Sequence, residues 1–430
     1  MLAAGIALSA WGGVADETKA ELPILGWLAL PENQPWGVMP RNLATVKNYR
    51  IARDGGFTHL MQWADSLDAA KRCLENAEKA GIKLSVHSSV FNRDAARAAR
   101  ELKGYKALAM YHICDEPKVQ DMPRMGEIAR AIMAEDPDHW CYMNWFGVVG
   151  KDPMRWYGTT DFRSYIRTSL KEVPIQMISF DKYPLIVCDH GETMPPFRNL
   201  AGESLKTNWF ETLEIVREVS RETKKPFWAF AISSAHALGN SAYSPGKDGR
   251  HLYPVATVPA MKLQQYANLA YGAQGLQYYS YYPPTGAGYC YYHAAPVTGD
   301  AQTTPVFDRV REVNAELQAR ARVFVGADAV GVWHTGPDIP VATRRLTPSD
   351  LPAGVETLET DEGAIVSHLV NGARRYLMVV NRTLGRELTL KIAFADGVSR
   401  IRKDGTAVPA ANSCGEYWLE TGDAEIFELP

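Results

Sequence analysis

The chain has 430 residues, with 46 lysines and arginines against 49 aspartates and glutamates and a net charge of -3. This length exceeds that of one ordinary core, so we expect two domains, or a barrel with an appended domain. No long run of one charge occurs, which argues against nucleic acid as a partner. Beyond the N-terminal segment, no apolar run approaches the roughly 18 residues that span a bilayer, so we expect no membrane span.

The first residues, MLAAGIALSAWGGVADE, resemble a signal peptide in their apolar stretch and small-residue end, but they lack a basic start. We therefore predict a signal-like or disordered segment at 1–21 and a periplasmic or secreted protein. The six cysteines show no CxxC pair and no metal-ligand spacing. We expect neither a zinc site nor a disulfide scaffold, and no cofactor. The sequence does not indicate an oligomeric state.

Eight strand-like runs alternate with helical segments between residues 22 and 324. The runs lie at 22–30, 57–64, 82–89, 107–117, 139–147, 174–184, 226–234 and 275–284. Segments between them, such as LDAAKRCLENAEKAG, carry apolar residues at three- and four-residue spacing. Eight such units in series predict an α/β fold, a (β/α)8 TIM barrel. A doubly wound sheet is the alternative, but no nucleotide-binding glycine motif follows any strand.

The sequence pattern changes from residue 325 to residue 430. Runs such as GAIVSHLV and RRYLMVVNRT alternate between apolar and polar residues, and short turns separate them without helical stretches. This pattern predicts a small antiparallel β-sandwich after a catalytic barrel at 22–324. The sandwich carries no clustered carboxylates, so we expect it to be structural, with the HTG of His334 to Gly336 touching the barrel.

Polar and aromatic residues stand at the predicted strand ends, where barrels of this kind place their active sites. Aromatic rings pack on the C–H faces of sugars, and amide and imidazole groups bond hydroxyls, so this inventory favours a carbohydrate substrate. The predicted substrate-binding residues are Trp27, Trp63, His87, Asn144, Trp145, Tyr183, His236, Tyr279 and Tyr281. In YYSYY, at 278–282, we expect about half of the rings to face the cleft.

The run ALAMYHICDEPK, at 107–118, ends on the adjacent carboxylates Asp115 and Glu116. Glycosidic cleavage uses one carboxylic acid to protonate the leaving oxygen and a second group to attack or stabilise the oxocarbenium-like centre. Glu116 is the candidate acid, because the apolar strand before it would raise its pKa and Pro117 stiffens the turn. The structural alternative is a solvated glutamate that precedes a helix beginning near Met122.

The strand-four DEP, and the ending GAQGLQYYSYYPP followed by TPVFDRVREVNAEL, resemble glycoside hydrolases with a (β/α)8 barrel. The ending is similar to β-galactosidase-like barrels of the large retaining clan, over roughly 23–325. The resemblance implies a hydrolase that cleaves O-glycosidic bonds in a poly- or oligosaccharide. It also implies Asn-Glu-Pro on strand four and a nucleophilic glutamate on strand seven. This chain instead has Asp115 in place of the strand-four Asn and the run FAISSAH, without a carboxylate, on strand seven. The family's pair of catalytic carboxylates therefore cannot be transferred complete to this chain.

Two substitutes for the missing nucleophile remain. Asp181, in ISFDKYP, is a candidate nucleophile or general base, and orienting a loop or a sugar hydroxyl is its other role. Alternatively, adjacent Asp115 and Glu116 resemble N-acetylhexosaminidases with substrate-assisted catalysis, in which the Asp orients the 2-acetamido group and the Glu is the acid. Consecutive strand residues point to opposite faces, so this reading requires the strand to end or bulge between them.

The distance between the carboxyl groups of Glu116 and Asp181 distinguishes two stereochemical outcomes. About 5–5.5 Å predicts retention, and roughly 6.5–9.5 Å predicts inversion. Two other functions stay open. A glycan-binding barrel without turnover is favoured by the missing strand-seven carboxylate. A lyase or sugar isomerase would need a lysine base or several metal-binding carboxylates at the strand ends, and only Lys182 is placed for this.

Overall fold

The computed structural model describes residues 20–28, 30–32, 42–186, 204–206, 208–238, 252–283, 290–410 and 415–430. Residues 1–19 of the predicted signal-like segment lie outside these ranges. Within the described ranges, no helix is both long and apolar enough to cross a membrane.

Eight parallel strands close into a barrel in the order β1-β8-β7-β6-β5-β4-β3-β2. They are β1 (Ile24–Gly26), β2 (His59–Trp63), β3 (Lys83–His87), β4 (Leu108–Asp115), β5 (Trp140–Phe146), β6 (Ile178–Asp181), β7 (Phe227–Ile232) and β8 (Gly275–Tyr279). Each of the eight predicted runs contains one of these strands. The predicted (β/α)8 barrel is therefore confirmed.

The main helices of the barrel are α1 (Val46–Asp54), α2 (Leu67–Ala80), α3 (Val90–Leu102), α4 (Met122–Glu135), α5 (Phe162–Glu172), α6 (Trp209–Thr223), α7 (Val258–Ala270) and α8 (Pro305–Ala319). Local signals fix their ends. At α2, the side chain of Ser66 accepts a hydrogen bond from the backbone of Ala69, and Gly81 ends the helix in the left-handed conformation at φ 73°.

Shorter elements complete the barrel. Pro153–Tyr157 and Ala321–Phe324 are short helices, and Val119–Asp121 is a 3-10 turn. Leu185–Ile186 pairs with Ser204–Leu205, and Ala235–Leu238, Leu252–Tyr253 and Cys290–Ala294 form a three-stranded sheet. These two small sheets follow β6, β7 and β8, so they extend the end of the barrel at which the strands terminate.

In the described residues after the barrel, nine strands form two antiparallel sheets. They are β9 (Asp328–His334), β10 (Val355–Thr360), β11 (Ala364–Asn371), β12 (Arg374–Asn381), β13 (Leu388–Phe394), β14 (Ser399–Ile401), β15 (Ala407–Pro409), β16 (Gly415–Leu419) and β17 (Ala424–Leu429). Six strands pair in the order β9-β11-β12-β17-β14-β15, and three in the order β10-β13-β16. Val366 and Leu377 of the larger sheet pack with Leu390 and Ile392 of the smaller one. The predicted sandwich is confirmed.

The larger sheet is covered on its second face by the barrel. Ile365 belongs to the same core as the barrel helices, and Ser367 Oγ donates a 2.6 Å hydrogen bond to the carbonyl of Ala270. His334 Nε2 lies 2.9 Å from the hydroxyl of Tyr271. The predicted contact of His334 with the barrel is therefore present.

A buried ion cluster joins the two parts. The ammonium group of Lys262 on α7 lies 2.7 Å from Glu316 of α8 and 3.1 Å from Asp423 of the sandwich. Only 10% of the Lys262 side chain is exposed. The lysine thus lies between two carboxylates at the interface, each of which has a second cation nearby: Arg320 lies 3.7 Å from Glu316, and Lys403 lies 2.7 Å from Asp423.

Candidate active site

A β-bulge sets the direction of the side chains at the end of β4. His112 pairs with Tyr142 of β5, Asp115 pairs with Asn144, and the register shifts between His112 and Cys114. In a regular strand, residues three apart face opposite sides, but the extra residue of a bulge restores the match. Asp115 therefore shares a face with His112, whose ring packs inside the barrel 5.1 Å from that of Tyr142.

Glu116 follows Asp115 in the left-handed conformation, with φ 45°. Its backbone N–H donates a 2.9 Å hydrogen bond to the carbonyl of Asn144, and the carbonyl of Pro117 accepts a 2.6 Å bond from the hydroxyl of Tyr165. These bonds hold a sharp change of chain direction. The strand thus ends between the two carboxylates, as their joint use in one site requires.

Three carboxyl groups meet at this end of the barrel. Glu116 and Asp181 share a hydrogen bond. The amide nitrogen of Asn144 lies 3.2 Å from Asp115 Oδ1 and 3.4 Å from Asp181 Oδ1. Ser179 Oγ donates a 2.8 Å bond to the amide oxygen of Asn144, which turns the N–H₂ group of that amide toward the carboxylates.

The surroundings raise the pKa of all three carboxyl groups. Burial is the largest cause for each of them. The charge of Asp181 further raises the pKa of Glu116 and of Asp115, and the hydrogen bonds from Glu116, Tyr183 and Asn144 partly offset the increase at Asp181. Asp115 is exposed to solvent as a residue, although protein atoms surround its carboxyl group closely enough for desolvation to raise its pKa. Glu116, shifted well above its usual pKa, is the group that holds a proton.

The separation of Glu116 and Asp181 falls outside both ranges expected for a glycosidase pair. Their carboxyl groups are in hydrogen-bonding contact, whereas retaining and inverting enzymes need about 5–5.5 Å and roughly 6.5–9.5 Å. In this state, neither a sugar carbon nor a water molecule fits between them. The contact between the two carboxyl groups therefore predicts neither retention nor inversion.

Four of the predicted substrate-binding rings are partly exposed near the strand ends: Trp63, His87, Tyr183 and Tyr279. The ring centroids of Trp63 and His87 lie 4.3 Å apart, and those of Tyr183 and Tyr279 lie 5.2 Å apart. The two pairs belong to β2 and β3 and to the ends of β6 and β8. They flank the β4–β6 carboxyl groups from two sides of the barrel.

Trp27 and His236 are nearly covered by protein. Trp27 is 4% exposed and packs inside the barrel against Phe230, at a ring distance of 5.3 Å. His236 is 1% exposed and stacks on Tyr253 at 4.5 Å. Both side chains pack against neighbouring rings and leave little exposed surface for contact with a sugar.

Two predicted substrate-binding residues, Trp145 and Tyr281, lie in the layer between barrel and helices and not in the barrel interior. Asn144 points inward, and its neighbour Trp145 therefore points into the helix layer, where it is fully buried. Tyr281 lies beyond the end of β8, and its ring packs 5.1 Å from Phe57 in the same outer layer.

The YYSYY run also contributes fewer rings than predicted. Tyr278 packs outward, 5.8 Å from Phe57, and the Tyr282 hydroxyl donates to the carbonyl of Gly299. Of the four tyrosines in this run, Tyr279 is the one that packs with the barrel-interior rings and remains partly exposed.

A polar network beneath the carboxyl groups was missed by the sequence reasoning. The hydroxyl of Tyr142 donates a 2.7 Å bond to Gln277 Oε1, and Gln277 Nε2 donates a 2.9 Å bond to Ser179 Oγ. Each of these residues stands two positions before a predicted site residue on the same strand. The two-residue period of strands was the signal available for finding them.

Other chemistries find little support at this end of the barrel. β7 has no carboxylate, and the buried Ser233 and Ser234 follow it. Lys182 Nζ donates a 2.6 Å hydrogen bond to the carbonyl of Val148. This bond occupies the amino group that a lysine base would use. In the described part of the chain, no group of three or more His, Cys, Asp or Glu side chains is arranged to hold a metal ion.

No protein-family model matches this sequence, and no curated protein matches it. Solved structures do. The β-galactosidase from Bacillus circulans sp. alkalophilus aligns with a TM-score of 0.59 at 11% identity, over 96% of this chain and 100% of that chain. A catalytic mutant of Gan42B, a GH42 β-galactosidase from G. stearothermophilus, aligns with a TM-score of 0.61 at 9% identity, over 96% and 99%.

These similarities show a shared fold, a (β/α)8 barrel with β-sheets after it. The alignment with the β-galactosidase from Marinomonas ef1 covers 69% of this chain and 60% of that enzyme, so this chain spans less than two thirds of that enzyme's length.

Proposed function

We propose that the protein is a glycoside hydrolase in which Glu116 is the general acid. The observation that carries the proposal is the meeting of Glu116 with Asp115 and Asp181 at the strand ends of the barrel, where burial and the charges of both neighbours raise the pKa of Glu116. A general acid must hold its proton at the working pH and release it to the leaving oxygen. The similar solved structures are named β-galactosidases, which makes a β-galactoside the first substrate to test.

Asp181 is the first candidate for the second carboxylate. Hydrogen bonds from Tyr183 and Asn144 favour its charged form, as a nucleophile or general base requires. In this mechanism, Asp181 attacks the sugar or activates water while Glu116 protonates the leaving oxygen. The hydrogen bond between the two groups must first break, because a reacting sugar lies between them in both stereochemical courses.

Substrate-assisted hydrolysis of an N-acetylhexosaminide is the second candidate. The close contact of Glu116 with Asp181 favours it, because this mechanism needs no second carboxylate across the sugar. Asp115 lies beside Glu116 on the barrel-interior face and is held by the amide of Asn144. Its carboxylate would orient the 2-acetamido group, whose carbonyl oxygen would attack the anomeric carbon.

A panel of 4-nitrophenyl glycosides tests the proposal. The panel contains the β-galactoside, the β-glucoside and both 2-acetamido-2-deoxy analogues, each tried with the wild-type protein and with Glu116→Gln. Release of 4-nitrophenol by the wild type at rates above the variant supports a hydrolase. Replacing acetamido by trifluoroacetamido slows only a substrate-assisted reaction, because fluorine weakens the attacking oxygen. Binding of sugars without release of 4-nitrophenol would instead establish a glycan-binding barrel.

The proposed location is the periplasm or the outside of the cell, on the basis of the apolar, small-residue segment at 1–21. Expression of the full chain, followed by fractionation and N-terminal sequencing, tests it. Export with removal of about 20 residues supports this location, and retention of the intact N-terminus in the cytoplasm contradicts it.

A further inference from the structure

Two histidines at the mouth of the barrel contact each other and take no part in the proposed proton transfer. His87 ends β3, and His112 lies beside it on β4. The Nδ1 atom of His87 lies 3.0 Å from the backbone oxygen of His112 and 3.0 Å from His112 Nδ1. His112 is fully buried, and the ring of Trp63 packs on the partly exposed ring of His87.

These two contacts determine where the protons are. A carbonyl oxygen only accepts hydrogen bonds, so Nδ1 of His87 must carry a proton. Nδ1 of His112 faces the same N–H group and must therefore be the unprotonated nitrogen of its ring. Burial lowers the pKa of both imidazoles, which keeps them neutral. The proton of His112 is then on Nε2, a buried atom. A backbone hydrogen bond with Cys114 raises the pKa of this imidazole and only partly offsets the effect of burial.

The remaining nitrogen, Nε2 of His87, therefore carries a lone pair. No hydrogen bond from the described part of the protein reaches this atom, and it is not one of the buried polar atoms without a partner. At least part of this atom is therefore exposed, on a ring that is partly exposed beside that of Trp63. The site thus offers a fixed acceptor next to an aromatic face, which fits a sugar hydroxyl and the C–H face of its ring.

We infer that Nε2 of His87 recognises one hydroxyl group of the sugar by accepting a hydrogen bond from it. The contacts with His112 hold the His87 ring in the tautomer that this requires. That the ligand is a sugar rests on the proposed function. The tautomer of His87 does not depend on that function. A neutral acceptor distinguishes a hydroxyl from a hydrogen atom, or from fluorine, which cannot donate. His87 is thus a specificity-determining residue, and His112 is a positioning residue.

The tautomers are measured first, on the full chain labelled with ¹⁵N-histidine near neutral pH. Spectra of His87→Gln and His112→Gln assign the two rings. We expect a protonated Nδ1 and an unprotonated Nε2 in His87, and the reverse in His112. A protonated Nε2 in His87 overturns the inference whether or not the protein has activity.

Kinetics with monodeoxy 4-nitrophenyl glycosides tests the contact itself. In His87→Asn, the amide can still donate to the His112 carbonyl but offers no acceptor at the Nε2 position, whereas Gln can place its oxygen there. For the parent substrate, we expect kcat/KM to fall about tenfold in His87→Asn, as for one lost hydrogen bond, and within about threefold in His87→Gln. His139→Asn, before β5 at the opposite end of the barrel, is the control.

One deoxy substrate should lose about tenfold in the wild type and nothing further in His87→Asn, because the same hydrogen bond is then absent from both sides. If His87→Asn and the removal of a hydroxyl group lower kcat/KM independently, so that the two losses multiply for every deoxy substrate, the inference is overturned. If no glycoside is hydrolysed, the proposed function fails, and the tautomer measurement alone decides whether His87 presents an acceptor.

Discussion

Replacing Glu116 with glutamine separates proton donation from shape. The glutamine side chain has the same length, and its N–H₂ group can still donate to Asp181, but it cannot protonate a leaving oxygen. General acid catalysis contributes about 10²- to 10⁴-fold to a rate, or about 2.7–5.4 kcal/mol of barrier. Burial and two neighbouring carboxyl groups hold the proton on Glu116, so we expect a loss in the upper half of this range for substrates with poor leaving groups.

The assay compares two leaving groups across pH. For an alkyl glycoside, wild-type kcat/KM should fall as the pH rises through the raised pKa of Glu116, and Glu116→Gln should lack this alkaline limb. For an activated aryl glycoside, whose phenolate leaves unaided, the loss should be below about tenfold. Glu127→Gln, on the exposed face of α4, is the matched control. An unchanged alkaline limb, or equal losses for both leaving groups, would refute the assignment of Glu116.

The same substitution has a consequence for stability. The pKa of Glu116 is higher in the folded than in the unfolded protein. Its contribution to stability is therefore fully present below the unfolded-state pKa and is lost as the pH rises through the folded-state pKa. Glu116→Gln should melt at a higher temperature than the wild type at alkaline pH, and this advantage should vanish in acid. A lower melting temperature at every pH would contradict the burial of an unfavourable charge.

Three further predictions follow from the carboxyl group, the interface and the sandwich. If the reaction is substrate-assisted, Asp115→Asn should reduce kcat as much as Glu116→Gln does. If Asp181 is the second carboxylate, Asp181→Asn should reduce kcat more than Asp115→Asn does. Measuring kcat for both variants distinguishes the two mechanisms. Lys262→Met removes one charge partner from each of two carboxylates at the interface, which keep Arg320 and Lys403, and should lower the free energy of unfolding by about 1–3 kcal/mol in urea titrations, with kcat unchanged. Trp418→Ala removes a ring that is 68% exposed on the sandwich and should leave kcat/KM within about twofold; a larger fall would implicate the sandwich in catalysis.

The barrel could be predicted because its strands differ in composition from its helices. A buried parallel strand is a short apolar run, as in ISFD of β6, and an amphipathic helix repeats its apolar residues every three to four positions. The same reasoning located Asp115, Glu116 and Asp181, because polar residues that follow such runs fall at the catalytic end of a barrel.

The direction of individual side chains could not be predicted in the same way. The bulge before Cys114 and the positive φ of Glu116 place two consecutive carboxylates in one site. Pro117 indicates that the strand ends nearby, but no local residue type fixes the position of the bulge or the φ of Glu116. Trp145 shows the converse case. Its strand was located correctly, but whether Asn144 or Trp145 points inward depends on the register with β4 and β6, which is a property of the closed barrel.

The contact of Glu116 with Asp181 leads to a final prediction about the bound state. Because β5 lies between β4 and β6, their backbones are about two strand spacings, or roughly 9–10 Å, apart. Facing side chains close this gap, whereas a sugar carbon between them requires a separation of about 5 Å or more. In a crystal structure of Glu116→Gln with an intact glycoside, the side chain at 116 and the carboxylate of Asp181 should therefore have moved apart to at least that distance. If the two side chains remain in contact while a sugar occupies the cleft, Asp181 is not the second carboxylate, and Asp115 acting through the substrate takes its place.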